Sequence, residues 1–140
     1  MTSNPFTQTT NTPQSLYDLV GGEKGIKNLV KVFYDIVETN PEAQQLHLLH
    51  IRGNGVAHSR LEQFNFLSGF LGGPKLYVEK HGHSNITSMH EHVKISNQSK
   101  NSWLYCMNMA IDQVGIKASS KEILMRSFSK LAEKLVNQAD

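Results

Sequence analysis

The chain has 140 residues and one cysteine, Cys106, so it can bury a single core, while an intramolecular disulfide and a multi-cysteine zinc or iron–sulfur centre are excluded. Fourteen basic and twelve acidic residues leave a formal charge of +2 with no basic block, which argues against non-specific nucleic-acid binding. No apolar run approaches the roughly 20 residues of a membrane span, and no charged start leads into an apolar stretch, so a cytoplasmic protein is expected.

Residues 1–14 are rich in Thr, Asn, Gln and Pro without any period, and read as a flexible tail ahead of a domain over 15–140. Ser15 looks like the N-cap of a short helix stopped by Gly21 and Gly22. The spacing of Ile26, Leu29, Val30, Phe33, Tyr34 and Val37 predicts a long helix over Glu23–Thr39 with one buried stripe. Pro41 begins a short turn or helix through Leu46, and Leu48–Val56, with Gly53 and Gly55, reads as a loop. A second long helix is predicted over Ala57–Leu71, with Leu61, Phe64, Leu67 and Leu71 on one face. It stops at Gly72-Gly73-Pro74, where proline cannot continue it.

Lys75–Met89 shows little sustained pattern beyond a hint of strand at Leu76–Val78 and reads as a loop with short turns. Ser96 caps a third helix, about Asn97–Val114, with Trp103, Met107, Ala110, Ile111 and Val114 inward. Ser119 to Glu122 matches a capping box opening a fourth helix, whose core face holds Ile123, Leu124, Phe128, Leu131, Leu135 and Val136. The class is all-α. Between the second and third helices lies a connection too long for a compact domain unless it has a task.

That connection carries His81, His83, His90 and His92, four of the seven histidines; the others are His47, His50 and His58. The residues alone leave three readings open. Most of the histidines can be ordinary surface or hydrogen-bonding groups. A divalent-metal site is a second reading, though no His-Glu-x-x-His motif supports it. The third is haem held through one histidine, for which the helices offer Phe33, Phe66, Phe70, Trp103, Leu67 and Met107 as apolar walls and Tyr34 and Gln63 as polar groups.

A resemblance favours the third. Leu71-Gly-Gly-Pro-Lys-Leu-Tyr77-Val-Glu79-Lys80-His81-Gly82-His83, then Met89-His90 with Val93, Ile95 and Ser96, then Trp103-Leu104 with Cys106 and Met107, resembles the group II truncated haemoglobins. So do Ser15-Leu-Tyr17-Asp with Val20-Gly21-Gly22, and Val32-Phe33-Tyr34. The similarity runs over about residues 15–137.

The resemblance implies a globin-like, truncated two-over-two helical sandwich around haem b. It places the iron-ligating histidine at His90 rather than His92 or His83. It places Tyr34, Trp103, Gln63 and His47 on the distal, ligand-stabilising side. Phe33, Phe66, Leu67, Tyr77, His83, Val93, Ile95, Trp103 and Met107 would contact the cofactor. His58 and Ser59 fall near the ligand-access position. Glu62 stands where a basic residue would meet a haem propionate, so Arg60, Lys75 or Lys80 would serve instead.

The implied function is binding of dioxygen and other diatomic ligands (nitric oxide, carbon monoxide) at a five-coordinate iron, with oxygen transport within its range. Nitric-oxide dioxygenation or peroxide detoxification would need a separate electron donor, since these residues hold no flavin or nicotinamide domain. Two alternatives use the same helices: a gas or redox sensor without turnover, and a haem-free helical interaction module.

Overall fold

The computed structural model describes residues 15–52, 55–90 and 93–137; the expected tail over 1–14, Gly53, His92 and the last three residues of the expected domain lie outside them. Eight α-helices and one 3-10 turn follow in order, and no strand occurs among the described residues: α1 (Leu16–Val20), α2 (Gly22–Thr39), the turn (Pro41–Ala43), α3 (Gln44–Arg52), α4 (Val56–Phe70), α5 (Leu76–His81), α6 (Ile86–Met89), α7 (Asn97–Gln113) and α8 (Ala118–Leu135).

Local chemistry accounts for the ends. Ser15 Oγ accepts from Asp18 N at 3.1 Å and starts α1. Gly21, at φ 110°, lets α2 begin immediately after α1. The turn between these helices is so tight that a Cβ on Gly25 would sit 2.0 Å from the Val20 carbonyl oxygen. Helix α2 buries Ile26, Leu29, Val30, Phe33, Tyr34, Ile36 and Val37, the stripe its periodicity predicts.

The helices pack as two pairs, α2 with α4 and α7 with α8, joined where α2 lies on α7. Phe33, Leu67, Met107, Ile111, Leu124 and Phe128 meet at the centre, each at most 1 % exposed. This is the all-α two-over-two sandwich expected from the sequence. A single domain of this size can support that core unaided.

Several sequence expectations give way. The loop expected over Leu48–Val56 is helical through Arg52, because α3 continues directly from the 3-10 turn. Lys75–Met89 forms α5 and α6 with a short break between them, and Leu76–Val78 is helix, not strand. The capping box at Ser119 is absent: α8 starts two residues earlier, with Lys117 at the cap and no side-chain bond there. Leu61 and Ile123 are 53 % and 42 % exposed. In α8 the buried stripe runs Ser120, Leu124, Phe128, Ala132 at four-residue spacing, which leaves Ile123 one position round the helix.

Candidate functional site

The segment between α6 and α7 is fixed by short-range hydrogen bonds. Asn85 caps α6 by accepting from Ser88 N at 3.0 Å. His90 N then donates to Thr87 O at 3.1 Å, closing a turn that carries the ring inward. Asn137, just past α8, ties down Val93 and Ile95. Its amide N donates to Ile95 O, its side-chain oxygen accepts from Ile95 N, and its side-chain nitrogen donates to Val93 O, all at 2.8–2.9 Å.

These elements enclose one side of a cleft of about 220 Å³ that opens to solvent. Of the residues expected to face a cofactor, Phe66, Leu67, Tyr77, Val93, Ile95 and Trp103 line it. So do His90, Tyr34 and Gln63. Phe33, His83, Met107 and His47 do not. Phe33 lies behind the wall, its ring 4.8 Å from Tyr34 and 5.3 Å from Trp103. Met107 is fully buried one turn along from Trp103. His83 is exposed, with Nδ1 accepting from Asn85 N.

His47 is displaced by helix geometry. Leu46, Leu49 and His50 share the face of α3 that lines the cleft, and a residue at 47 points about 100° away from Leu46. His50 therefore stands where His47 was expected. The heptad-like spacing of 46, 49 and 50 carried that signal, but only once α3 is known to be helical.

Two of the three lining histidines, His90 and His50 but not the exposed His58, share a device. His90 Nδ1 lies 2.7 Å from Ile86 O, and His50 Nδ1 lies 2.9 Å from Leu46 O. A carbonyl oxygen can only accept, so in each neutral ring the proton sits on Nδ1 and Nε2 keeps its lone pair. Burial holds His50 below the ordinary histidine range, against the opposing pull of its bond to Leu46, with His90 and His47 lowering it further. It is neutral at pH 7.

Tyr34 O–H donates to Gln63 Oε1 at 3.0 Å, and His50 Nε2 is 3.4 Å away. Burial raises the Tyr34 hydroxyl well above its ordinary value despite the Arg60 guanidinium 5.7 Å from its ring, so it stays a protonated phenol. Gln63 Nε2 is buried without a hydrogen-bond partner. An orphaned amide donor in an apolar cleft costs about 1–3 kcal/mol unless something there accepts from it.

Glu62, also on the cleft wall, receives Lys80 Nζ and His81 Nε2 at 2.6 Å each. Burial works against its charge, but these partners outweigh that and hold the carboxyl below its ordinary range. Arg60 is committed to Asp35 and Glu38 on α2. Lys80 is thus taken by Glu62 and Arg60 by α2, while the sequence reading missed Lys100, which lines the cleft and pairs with Glu133 at 2.9 Å. Its signal was its place three residues before Trp103, on the same helix face.

An apolar cleft, an imidazole nitrogen with a free lone pair and an unspent buried donor fit a haem carrying a small polar ligand. Comparison with known proteins agrees. A sequence model of the bacterial-like globin family matches residues 15–137. The group 2 truncated haemoglobin YjbI of Bacillus subtilis (strain 168) is 34 % identical over 119 residues, 85 % of this chain and 86 % of the relative. The cold-adapted truncated haemoglobin of Pseudoalteromonas haloplanktis TAC125 superposes with a TM-score of 0.83 at 36 % identity, covering 89 % of this chain and 99 % of the other. The group II 2-on-2 haemoglobin of Agrobacterium tumefaciens gives 0.83 at 30 % identity, covering 91 % and 97 %.

Proposed function

Because the chain belongs to the bacterial-like globin family, as a group II truncated haemoglobin with haem as its cofactor, we propose that His90 Nε2 ligates the iron and that Tyr34, Gln63, His50 and Trp103 meet the ligand on the other side. When bound, haem would supply an iron able to take a small diatomic ligand. The His90 assignment rests on two features together: its Nδ1 is held by Ile86 O at 2.7 Å, and, unlike His50, whose Nε2 lies 3.4 Å from the Tyr34 hydroxyl, its Nε2 has no hydrogen-bond partner among the described residues. The haem-free alternative falls with the family.

Phe66, Leu67, Tyr77, Val93 and Ile95 give the slot apolar walls. In such surroundings each charge-assisted donor contributes about 1.5–3 kcal/mol. Trp103 can donate only through its indole N–H, and Gln63 through its amide. Two donors favour slow ligand release over delivery. We therefore read the activity as tight oxygen binding, with nitric-oxide dioxygenation or peroxide removal as its turnover, electrons coming from a separate reductant.

Reconstitution with hemin tests this. Wild type should show a Soret band, and His90→Ala should lose stable ligation that added imidazole restores, while His92→Ala should keep it. The reverse ranking of the two variants would overturn the assignment. Trp103→Phe should speed oxygen release about 10- to 150-fold, the factor that one such bond implies. An unchanged rate would remove Trp103 from the donors.

A further inference from the structure

Hydrogen atoms are unevenly spread over the wall formed by α2, α3 and α4. His50 spends its one N–H on Leu46 O and shows a bare Nε2 to the cleft. Tyr34 has a single proton, placed 3.0 Å from Gln63 Oε1 and 3.4 Å from His50 Nε2, so it satisfies one acceptor well and the other poorly. The amide end of Gln63 is a buried donor with no acceptor. The wall therefore presents an unfilled base and an unfilled donor side by side, bridged by one phenol.

A ligand made only of lone pairs, such as dioxygen or carbon monoxide, can take the Gln63 hydrogen but faces the His50 lone pair with nothing to offer it. A ligand that carries its own hydrogen fills both. We infer that His50 Nε2 is a proton acceptor for weak-acid ligands X–H, a class that includes hydrogen peroxide and hydrogen cyanide, so that the pocket is polarised toward protic ligands. The X–H bond breaks with its electron pair left on X. The proton passes to His50 Nε2, giving an imidazolium whose Nδ1–H remains on Leu46 O. Gln63 N–H then donates to the anion. The proton returns to X when it leaves.

Among the described residues no other base on this wall competes. Glu62 is already occupied by Lys80 and His81. His58 lines the cleft but is exposed, where water competes for it. The inference rests on the reading of a haem ligated by His90, and its test separates the two.

The experiment is stopped-flow binding to the haem-loaded full chain, with cyanide (present as hydrogen cyanide at neutral pH) for the ferric form and carbon monoxide for the ferrous form. His50→Gln keeps a polar side chain but removes the base. Cyanide association should slow about 100-fold, within the range of a positioned base, while carbon monoxide association stays within about threefold. A second measurement needs no variant: cyanide association to wild type should slow in D2O, and carbon monoxide association should not. Equal cyanide rates in wild type and variant, equal slowing of both ligands, or no isotope effect would each overturn the inference. So would a ligand-free ferric spectrum that is low-spin in wild type and high-spin in His50→Gln, because His50 would then bind the iron itself. Failure of the His90 reading looks different: His90→Ala would keep the wild-type Soret spectrum, whatever His50→Gln does to cyanide association.

Discussion

Glu62 carries one cationic partner, Lys80, and the His81 ring on a side chain that is 14 % exposed. Its carboxyl titrates below the ordinary range, so the folded state binds its proton less readily than the unfolded chain does. The stabilisation is therefore full above the ordinary carboxylate range and is lost as pH falls through the lower, folded value. Glu62→Gln should cost about 1–3 kcal/mol in urea unfolding at pH 7, and the two proteins should converge in strongly acidic solution. A difference that persists there would mean that packing, not the ion pairs, is what the substitution removes. The same residue shows what a sequence can and cannot state. Glu62 was visibly out of place for a propionate partner, yet its real partners, Lys80 and His81, lie 18 and 19 residues on and meet it only because α5 packs on α4. Likewise a histidine on the ligand side was legible, but choosing His50 over His47 required knowing that α3 runs unbroken to Arg52.

Among the elements, the long helices α2, α4, α7 and α8 were readable in outline, whereas the short α3, α5 and α6 were not. Helices α2 and α7 press one apolar face on neighbours, so period and placement agree. Helix α4 divides its apolar residues between α2, α5 and the slot, and no single stripe marks it; Leu61 was misplaced for that reason. The two expected caps on α7 and α8 separate by the same logic. Ser96 Oγ accepts from Ser99 N at 3.1 Å, whereas Ser119 lies inside α8. Ser96→Ala should cost about 1 kcal/mol and Ser119→Ala less than about 0.5 kcal/mol in chemical denaturation; equal costs would contradict this assignment of the helix starts. Asn137 is the element-scale feature that no motif announced. Its three bonds to Val93 and Ile95 cross from the end of α8 to the segment behind His90. Asn137→Ala should hasten hemin loss to an acceptor protein while far-ultraviolet helicity stays unchanged, and a wild-type rate of loss would reduce the clasp to decoration.

At the scale of the molecule, the fold has two interiors of different kinds. One is the dry centre around Phe33, Leu67, Met107, Leu124 and Phe128, where protein packs on protein. The other is the slot, lined by residues of α2 through α8. Stability of the second kind depends on what fills it, since a bound group that prefers the folded chain adds RT ln(1 + [L]/Kd), about 4 kcal/mol at a thousandfold excess over Kd. In the long connection α5 and α6 are short, and each packs chiefly on one other helix, α5 on α4 and α6 on α8. Removing haem should therefore leave α2 and the Leu124–Phe128 part of α8 protected against amide hydrogen exchange, because their contacts lie in the dry centre. Protection should fall first in the amides of α5, α6 and Val93–Ile95, and return when hemin is restored. Uniform loss of protection across all helices would mean that the two interiors fold as one unit and that the slot is not separately held by its cofactor.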